Sequence, residues 1–345
     1  MSKCLTKKVP VVGNARPRNS IRIRPTHSIG IYSRCVLMKV STNARSAAGR
    51  NCVTVTRLHW KSHSKDRQVD GEEILGSVKL FCESAAKYSD GIILVIQAFL
   101  SDSKVPNGTH GVFEKSVQHL LEKIQREIAD MSTVVTIKLI QLAHWGEFVP
   151  ALNAALTAAC DYFPSAQVIV YQSLELCSDT PAVACLFDNF VLEEDLVIGC
   201  ALPGHTYTRS DVGVLVPLDG CTSPWNTFAM WNLTLLAKIG FPLICEGVKC
   251  DRSTAGIEEV ATITLFQKLY PLQSNAKLIQ LPDAAFTWNV DQWTDESRQK
   301  WHDEKMRRKI WRAERQLEHF ALDTKGAVLH LPPLLNMEEL NAHRM

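Results

Sequence analysis

The sequence predicts an α/β fold around a mostly parallel sheet, on three observations. Ile92-Ile93-Leu94-Val95-Ile96 is a continuous, β-branched apolar run of strand length, the pattern of a strand buried on both faces. Phe113, Val117, Leu120, Leu121, Ile124 and Ile128 then recur at helical spacing. Val134 to Leu142 supplies a further strand, followed by a small-residue helix around Asn153 to Ala159 and a strand from Gln167 to Tyr171. Strand, helix, strand, helix, strand is the alternation that builds a parallel sheet with crossover helices.

The remaining elements follow in order. A helix is expected from Val69 to Tyr88, turned by Asp90-Gly91 into the first apolar run. Leu196 to Leu202 reads as a strand closed by Pro203-Gly204, with Val212 to Val216 as its expected partner. Ser223 followed by Pro224 has the form of an N-cap and first helical position, opening a helix with Trp225, Phe228, Trp231 and Leu235 that stops at Gly240. A helix from about Ala255 to Leu269 ends before Pro271, and Lys277 to Leu281 is a short strand. Trp288, Trp293 and Trp301 lead into a charged helix reaching about residue 321, and the tail beyond Thr324 reads as irregular.

Charge divides the chain. Residues 1–65 hold 14 Lys or Arg and no acid, leaving 24 basic against 36 acidic residues in the remainder. This basic, acid-free stretch, taken as residues 1–68, fits an organellar transit segment, for mitochondrion or plastid, and lacks the apolar core of a secretory signal. A basic arm or a misplaced start, with Met38 as the later candidate, are the alternatives; without a transit role the chain would be cytoplasmic. The expected organisation is residues 69–290 as the folded domain, 291–322 as the charged helix and 323–345 as the tail. Eleven cysteines without a C-x-x-C pair suggest a reducing compartment. No apolar run is long enough to span a membrane.

Several chemistries lose their usual signatures. There is no G-x-S-x-G, no G-x-x-x-x-G-K-[ST], no G-x-G-x-x-G and no H-E-x-x-H. The helix after Trp293 carries eight basic residues between Arg298 and Arg315 against three acids, a pattern that fits a solvated face or an anion clamp. No aromatic-rich motif accompanies either basic region, which speaks against a nucleic-acid partner. What remains is carboxylates and amides at strand and helix ends. In open α/β sheets that is where ligands bind.

The order of elements from Asp90 to Leu281 resembles the inverting, family-two-type nucleotide-diphospho-sugar glycosyltransferases. Three stretches carry the resemblance: Ala151 to Ala159, similar to the family's Asn-plus-small-residue helix; the strand Val168 to Tyr171, ending where the family has Asp-x-Asp; and Gly256-Ile257-Glu258-Glu259-Val260, standing where the family has an acid pair. The resemblance implies a GT-A-like, Rossmann-type three-layer sandwich and transfer of a sugar from a nucleotide-sugar donor to a hydroxyl acceptor. It implies Glu258 or Glu259 as general base, with Glu258 narrowly preferred, and Asn153, Gln172 and Ser173 near the donor. Asp-x-Asp is replaced here by Ser173-Leu174-Glu175, so a divalent cation, Mn²⁺ or Mg²⁺, would rest on Glu175 in a poorer cage. Trp225, Asp219 and His205 are the expected substrate contacts. The alternative is a catalytically inactive nucleotide-sugar-binding or scaffold protein on the same fold.

Overall fold

The computed structural model describes residues 51–60, 69–98, 112–132, 134–178, 180–282, 285–288, 296–322 and 325–333. It is an α/β three-layer sandwich of Rossmann type. Nine strands form one sheet in the order β3-β2-β1-β4-β8-β6-β9-β11-β7. These are β1 (Cys52–Leu58), β2 (Gly91–Gln97), β3 (Thr136–Leu142), β4 (Val168–Gln172), β6 (Asp195–Cys200), β7 (Leu215–Pro217), β8 (Phe228–Asn232), β9 (Asn275–Ile279) and β11 (Ala327–His330). All run parallel except β8, antiparallel to both β4 and β6, and β7, antiparallel to β11. A separate ribbon pairs β5 (Leu176–Ser178) with β10 (Phe286–Trp288).

Helices cover both faces. Helices α1 (Gly71–Ala85), α2 (Val112–Met131) and α4 (Thr180–Asp188) pack on one. The other face takes α3 (Val149–Tyr162), the single turn α5 (Leu233–Leu236), α6 (Glu258–Leu269) and α7 (Glu296–His319). Period-two alternation assigns each strand residue to a layer: Val53, Val55, Ile93 and Val95 join the α3 core, Ile92, Leu94 and Ile96 the α1 core. With both layers covered, nothing forces polar residues into the central strands, which explains their unbroken apolar runs.

Local signals explain the helix starts. Asp70 caps α1, its carboxylate accepting from the N–H groups of Glu72 and Glu73 at 3.2 Å. Helix α3 has no capping side chain of its own. Glu246 serves instead, accepting from the N–H groups of Phe148 and Val149 at 2.6 Å and from that of Glu147. Gly146, at φ +65°, is required there, since a Cβ would sit 2.2 Å from that carboxylate.

Four expectations are corrected. Residues 52–58 form β1, hydrogen-bonded between β2 and β4, so the basic stretch 1–68 does not lie wholly outside the folded domain; the Val-Thr-Val-Thr alternation outweighs the bias in charge. The expected helix from Ser223 to Gly240 is a loop, strand β8 and α5, because Phe228 and Met230 enter one core while Ala229 and Trp231 enter the other. An apolar run buried on both faces has no periodicity to separate strand from helix. Strand β7 pairs with β11 and not with β6, and the tail contributes β11 to the main sheet where irregular chain was expected at 327–330. Trp293 and the rest of the segment 289–295 lie outside the described residues.

Two truncated chains test the placement of β1. One beginning at Arg45 keeps the strand and is expected to melt cooperatively by circular dichroism. One beginning at Asp66 leaves β2 and β4 without their common partner and is expected to show no cooperative transition; a sharp melt for it would refute the central position of β1.

Candidate functional site

The carboxyl ends of β1 and β4 and the amino end of β8 meet at one edge of the sheet, where Gln172 pairs with Phe228 and the Ser173 N–H donates to the Thr227 carbonyl at 2.9 Å. Helix α6 delivers two acids to this edge. Its entry is abrupt: Gly256 and Ile257 both have positive φ, +94° and +59°. A β-branched residue in the left-handed region is strained, and such strain concentrates at functional sites. Here it turns Glu258 and Glu259 inward at the first turn of α6, leaving them 4% and 5% exposed.

Asn226 organises the pair. Its backbone N–H donates to Glu259 Oε1 at 2.6 Å and its Nδ2 to Glu258 Oε1 at 3.3 Å, while its Oδ1 accepts from Trp231 Nε1 at 2.9 Å. Arg57, from the end of β1, brings its guanidinium to 3.9 Å from Glu258 Oε1 and is the most open member, with 21% of its side chain exposed. Burial, and then repulsion from Glu258, push the Glu259 carboxyl up to about 8. At neutral pH Glu259 therefore holds its proton, next to Glu258 and the Arg57 guanidinium. A buried acid pair with a raised pKa is the kind of feature that clusters at functional sites.

Beside the pair lies a second cluster. Trp225, 4% exposed, donates its Nε1–H to the Gly220 carbonyl at 2.9 Å. Lys309 of α7 places Nζ 2.9 Å from the indole centroid, and the His205 ring stacks on the same indole at 3.5 Å. Gly220 permits this approach, since a Cβ there would lie 2.6 Å from the Lys309 carbonyl. His205 accepts from the Leu202 N–H at its Nδ1, 2.8 Å, and donates from Nε2 to the Ser223 carbonyl at 3.0 Å. Burial pushes its pKa down to about 3, so it stays neutral and its nitrogens are committed.

The remaining expected site residues separate into structural and solvent-facing ones. Asn153 clamps the backbone of Phe241, donating to its carbonyl and accepting from its N–H, both at 2.9 Å; it is spent on that contact and not on a cofactor. Gln172, 2% exposed, accepts from Tyr88 and Ser178 and donates to the Leu176 carbonyl. Asp219 closes its own loop, accepting from the N–H groups of Cys221 and Thr222 at 2.7 and 2.9 Å. Trp225 and His205 are packed against each other, and neither opens a stacking face of the kind expected. Glu175 is exposed in the turn between β4 and β5, next to half-buried Leu174 and two residues from half-buried Ser173. Among the described residues no three His, Cys, Asp or Glu side chains gather to hold a metal ion, so Glu175 stands there as a single carboxylate.

Two participants were not foreseen: Arg57 and Asn226. Arg57 ends a Val-Thr-Val-Thr run that marks a strand, and that signal was available. Nothing local marks Asn226; Lys309 belongs to the basic helix read as a solvated face or an anion clamp, and the fold brings it to Trp225 instead. Among the described residues no helix is long and apolar enough to cross a membrane.

No family model matches this chain, and no curated protein matches it in sequence. Three solved structures show loose similarity. The 4-diphosphocytidyl-2C-methyl-D-erythritol synthase of Anaerococcus prevotii has a TM-score of 0.30 at 13% identity, over 85% of this chain and 99% of that one. A Desulfovibrio desulfuricans protein described as a nucleotide-diphospho-sugar transferase has 0.35 at 11%, over 67% and 80%. The UTP-bound UGPase of Acinetobacter baumannii has 0.28 at 12%, over 55% and 78%. Superpositions this loose carry no chemistry across.

The acid pair makes a prediction about pH. The carboxyl of Glu259 rises from 4.5 to about 8 on folding, so between those values the folded chain holds a proton that the unfolded chain releases. Stability from this group is complete below about 4.5 and is lost as pH rises through 8. Glu259→Gln keeps an acceptor for the Asn226 N–H and removes the titration. Relative to this variant, the natural chain is expected to lose stability on the order of a few kcal/mol between pH 5 and pH 8, read from denaturant melts. Parallel pH profiles would show that Glu259 is not held protonated.

Proposed function

We propose that this protein is a nucleotide-sugar-utilising glycosyltransferase that passes a sugar from a nucleotide diphosphate to a hydroxyl acceptor. One observation carries the reading: the buried Glu258–Glu259 pair, with Arg57 beside Glu258, sits at the carboxyl edge of a mostly parallel sheet. Ligands of open α/β sheets bind at that edge. In the proposed step the acceptor hydroxyl gives its proton to Glu258 while its oxygen bonds to the anomeric carbon of the donor. The bond from that carbon to the diphosphate oxygen breaks, and its electron pair leaves with the diphosphate.

Asn226 holds both acids in register, its N–H on Glu259 and its Nδ2 on Glu258. Arg57, with 21% of its side chain exposed, supplies positive charge beside the pair for an anionic donor. The described donor set offers no cage for a divalent cation, and no step is routed through one.

A second reading, a nucleotide-sugar-binding protein without catalysis, draws on the number of polar groups already committed. Asn153, Gln172, Asp219 and His205 all serve internal hydrogen bonds. Thermal shifts with UDP, GDP, CDP and their sugar conjugates, followed by transfer assays, separate the two. Donor binding is expected to raise the melting temperature of the natural chain and of Glu258→Gln alike. Turnover in Glu258→Gln is expected to fall roughly 10²- to 10⁴-fold. Full turnover in that variant removes Glu258 as base; a donor shift with no turnover anywhere favours the binding protein; no shift with any donor overturns both.

A further inference from the structure

A second site lies in the cleft between α7 and the turn at Val248–Asp251, away from the acid pair and used by nothing described above. Its volume is about 480 Å³, within the range of small-molecule pockets, and Trp311, Arg315, Glu318, His319, Lys249 and Asp251 line it. Trp311 is 40% exposed, on a helix whose inner positions Ala313 and Leu317 are buried. The Arg315 guanidinium lies 5.9 Å from the Trp311 ring centroid, so α7 presents an aromatic and a cation together to the cleft.

Both walls are held in place. On one side Gln316, fully buried, donates from Nε2 to the carbonyls of Thr254 and Gly256, both at 2.7 Å, and Arg312 Nε donates to the Ser253 carbonyl at 3.0 Å. These bonds lock α7 to the segment that leads into Glu258. On the other side Lys249 and Cys250 both have left-handed φ, +51° and +66°, in a turn bridged between Val248 and Asp251. Thr254 pins it, its Oγ1 accepting from the Val248 N–H at 2.8 Å and donating to the Asp251 carbonyl at 2.7 Å. Two consecutive non-glycine residues in this conformation are costly, and both are exposed, so packing does not impose them. The turn places Lys249 and Asp251 in the lining of the cleft, and Asp251 Oδ1 there accepts from the Ser253 N–H at 2.9 Å.

The charges decide the ligand class. Lys249 and Arg315 are balanced by Asp251 and Glu318, and Arg315 already pairs with Glu318 at 2.9 Å. A phosphate or nucleotide would meet as much repulsion as attraction. A neutral polyol fits better, because adjacent hydroxyls can donate to a carboxylate and accept from a guanidinium or ammonium together. The face of an indole carries negative potential, which suits the weakly positive C–H face of a sugar ring. We propose that the Trp311 cleft binds a neutral saccharide, one ring stacked on the indole and its hydroxyls shared between the Arg315–Glu318 pair, Lys249 and the second oxygen of Asp251.

The proposal does not rest on transfer chemistry, and its test is independent of it. The full chain is applied to an array of neutral, sialylated and sulfated glycans, and affinity for the strongest neutral oligosaccharide is measured by calorimetry. Expected are binding to neutral glycans, a loss of about tenfold or more in Trp311→Ala, recovery in Trp311→Tyr, and no change in Glu258→Gln. Trp311 is half-exposed, so its variants should melt close to the natural chain, which circular dichroism verifies. No neutral glycan bound, binding confined to sulfated or sialylated glycans, or affinity unchanged in Trp311→Ala would each overturn the site. Loss of donor binding or turnover at the acid pair leaves these results untouched, so the two readings fail separately.

Discussion

Two carboxyl groups side by side in a dry interior cannot both be charged at neutral pH, and much of this molecule is arranged around that constraint. Glu258 and Glu259 arrive from the first turn of α6, Arg57 from the end of β1, Asn226 from the loop before β8 and Trp231 from β8 itself. Lys309 lends a further positive charge from α7. Segments separated by up to some 250 positions in sequence thus converge on the acid pair. Removing any partner leaves a buried acid without compensation, which is expensive, so fold and site constrain each other.

The polar side chains away from the pair serve geometry. Glu246 closes the amino end of α3, Asn153 holds the backbone of Phe241, and Gln316 binds α7 to the loop before α6. Lys277 pairs with Asp195, which is fully buried between sheet and helices and also accepts from the Val191 N–H at 2.7 Å. Each answers the same need, since buried backbone and charged groups must find partners. A carboxylate or amide at an element end is therefore ambiguous in sequence: the residue that would bind a ligand and the residue that satisfies a loop are the same type. Asn232 shows this as well. It begins an Asn-Leu-Thr sequon, yet its side chain caps α5 and donates to the Leu192 carbonyl at 2.8 Å, which closes it to modification in the folded state.

Strain marks the two places where side chains are aimed. Ile257 is left-handed where the acids turn inward, and Lys249 and Cys250 are left-handed where the charged turn faces Trp311. Both lie within one stretch of ten residues that α7 clamps through Gln316 and Arg312. Thr254 lines the cleft and its carbonyl accepts from Gln316, and the clamp leads directly into the first turn of α6.

By itself, the sequence determined the α/β class, the parallel strands β2, β3 and β4 and the helices between them. Those features are local: apolar periodicity, turn residues and strand length suffice to specify them. Strand β8 was beyond it, because Phe-Ala-Met-Trp buried on both faces has the composition of either a strand or a helix. The basic stretch concealed β1 because charge bias is a property of composition, while strand pairing depends on alternation. Only the tertiary structure decided which polar residues were spent, bringing Asn226 and Arg57 to the acids and committing Asn153, Gln172, Asp219 and His205 elsewhere. Hydrogen-bond partners are chosen across distant segments, and no local pattern encodes that choice.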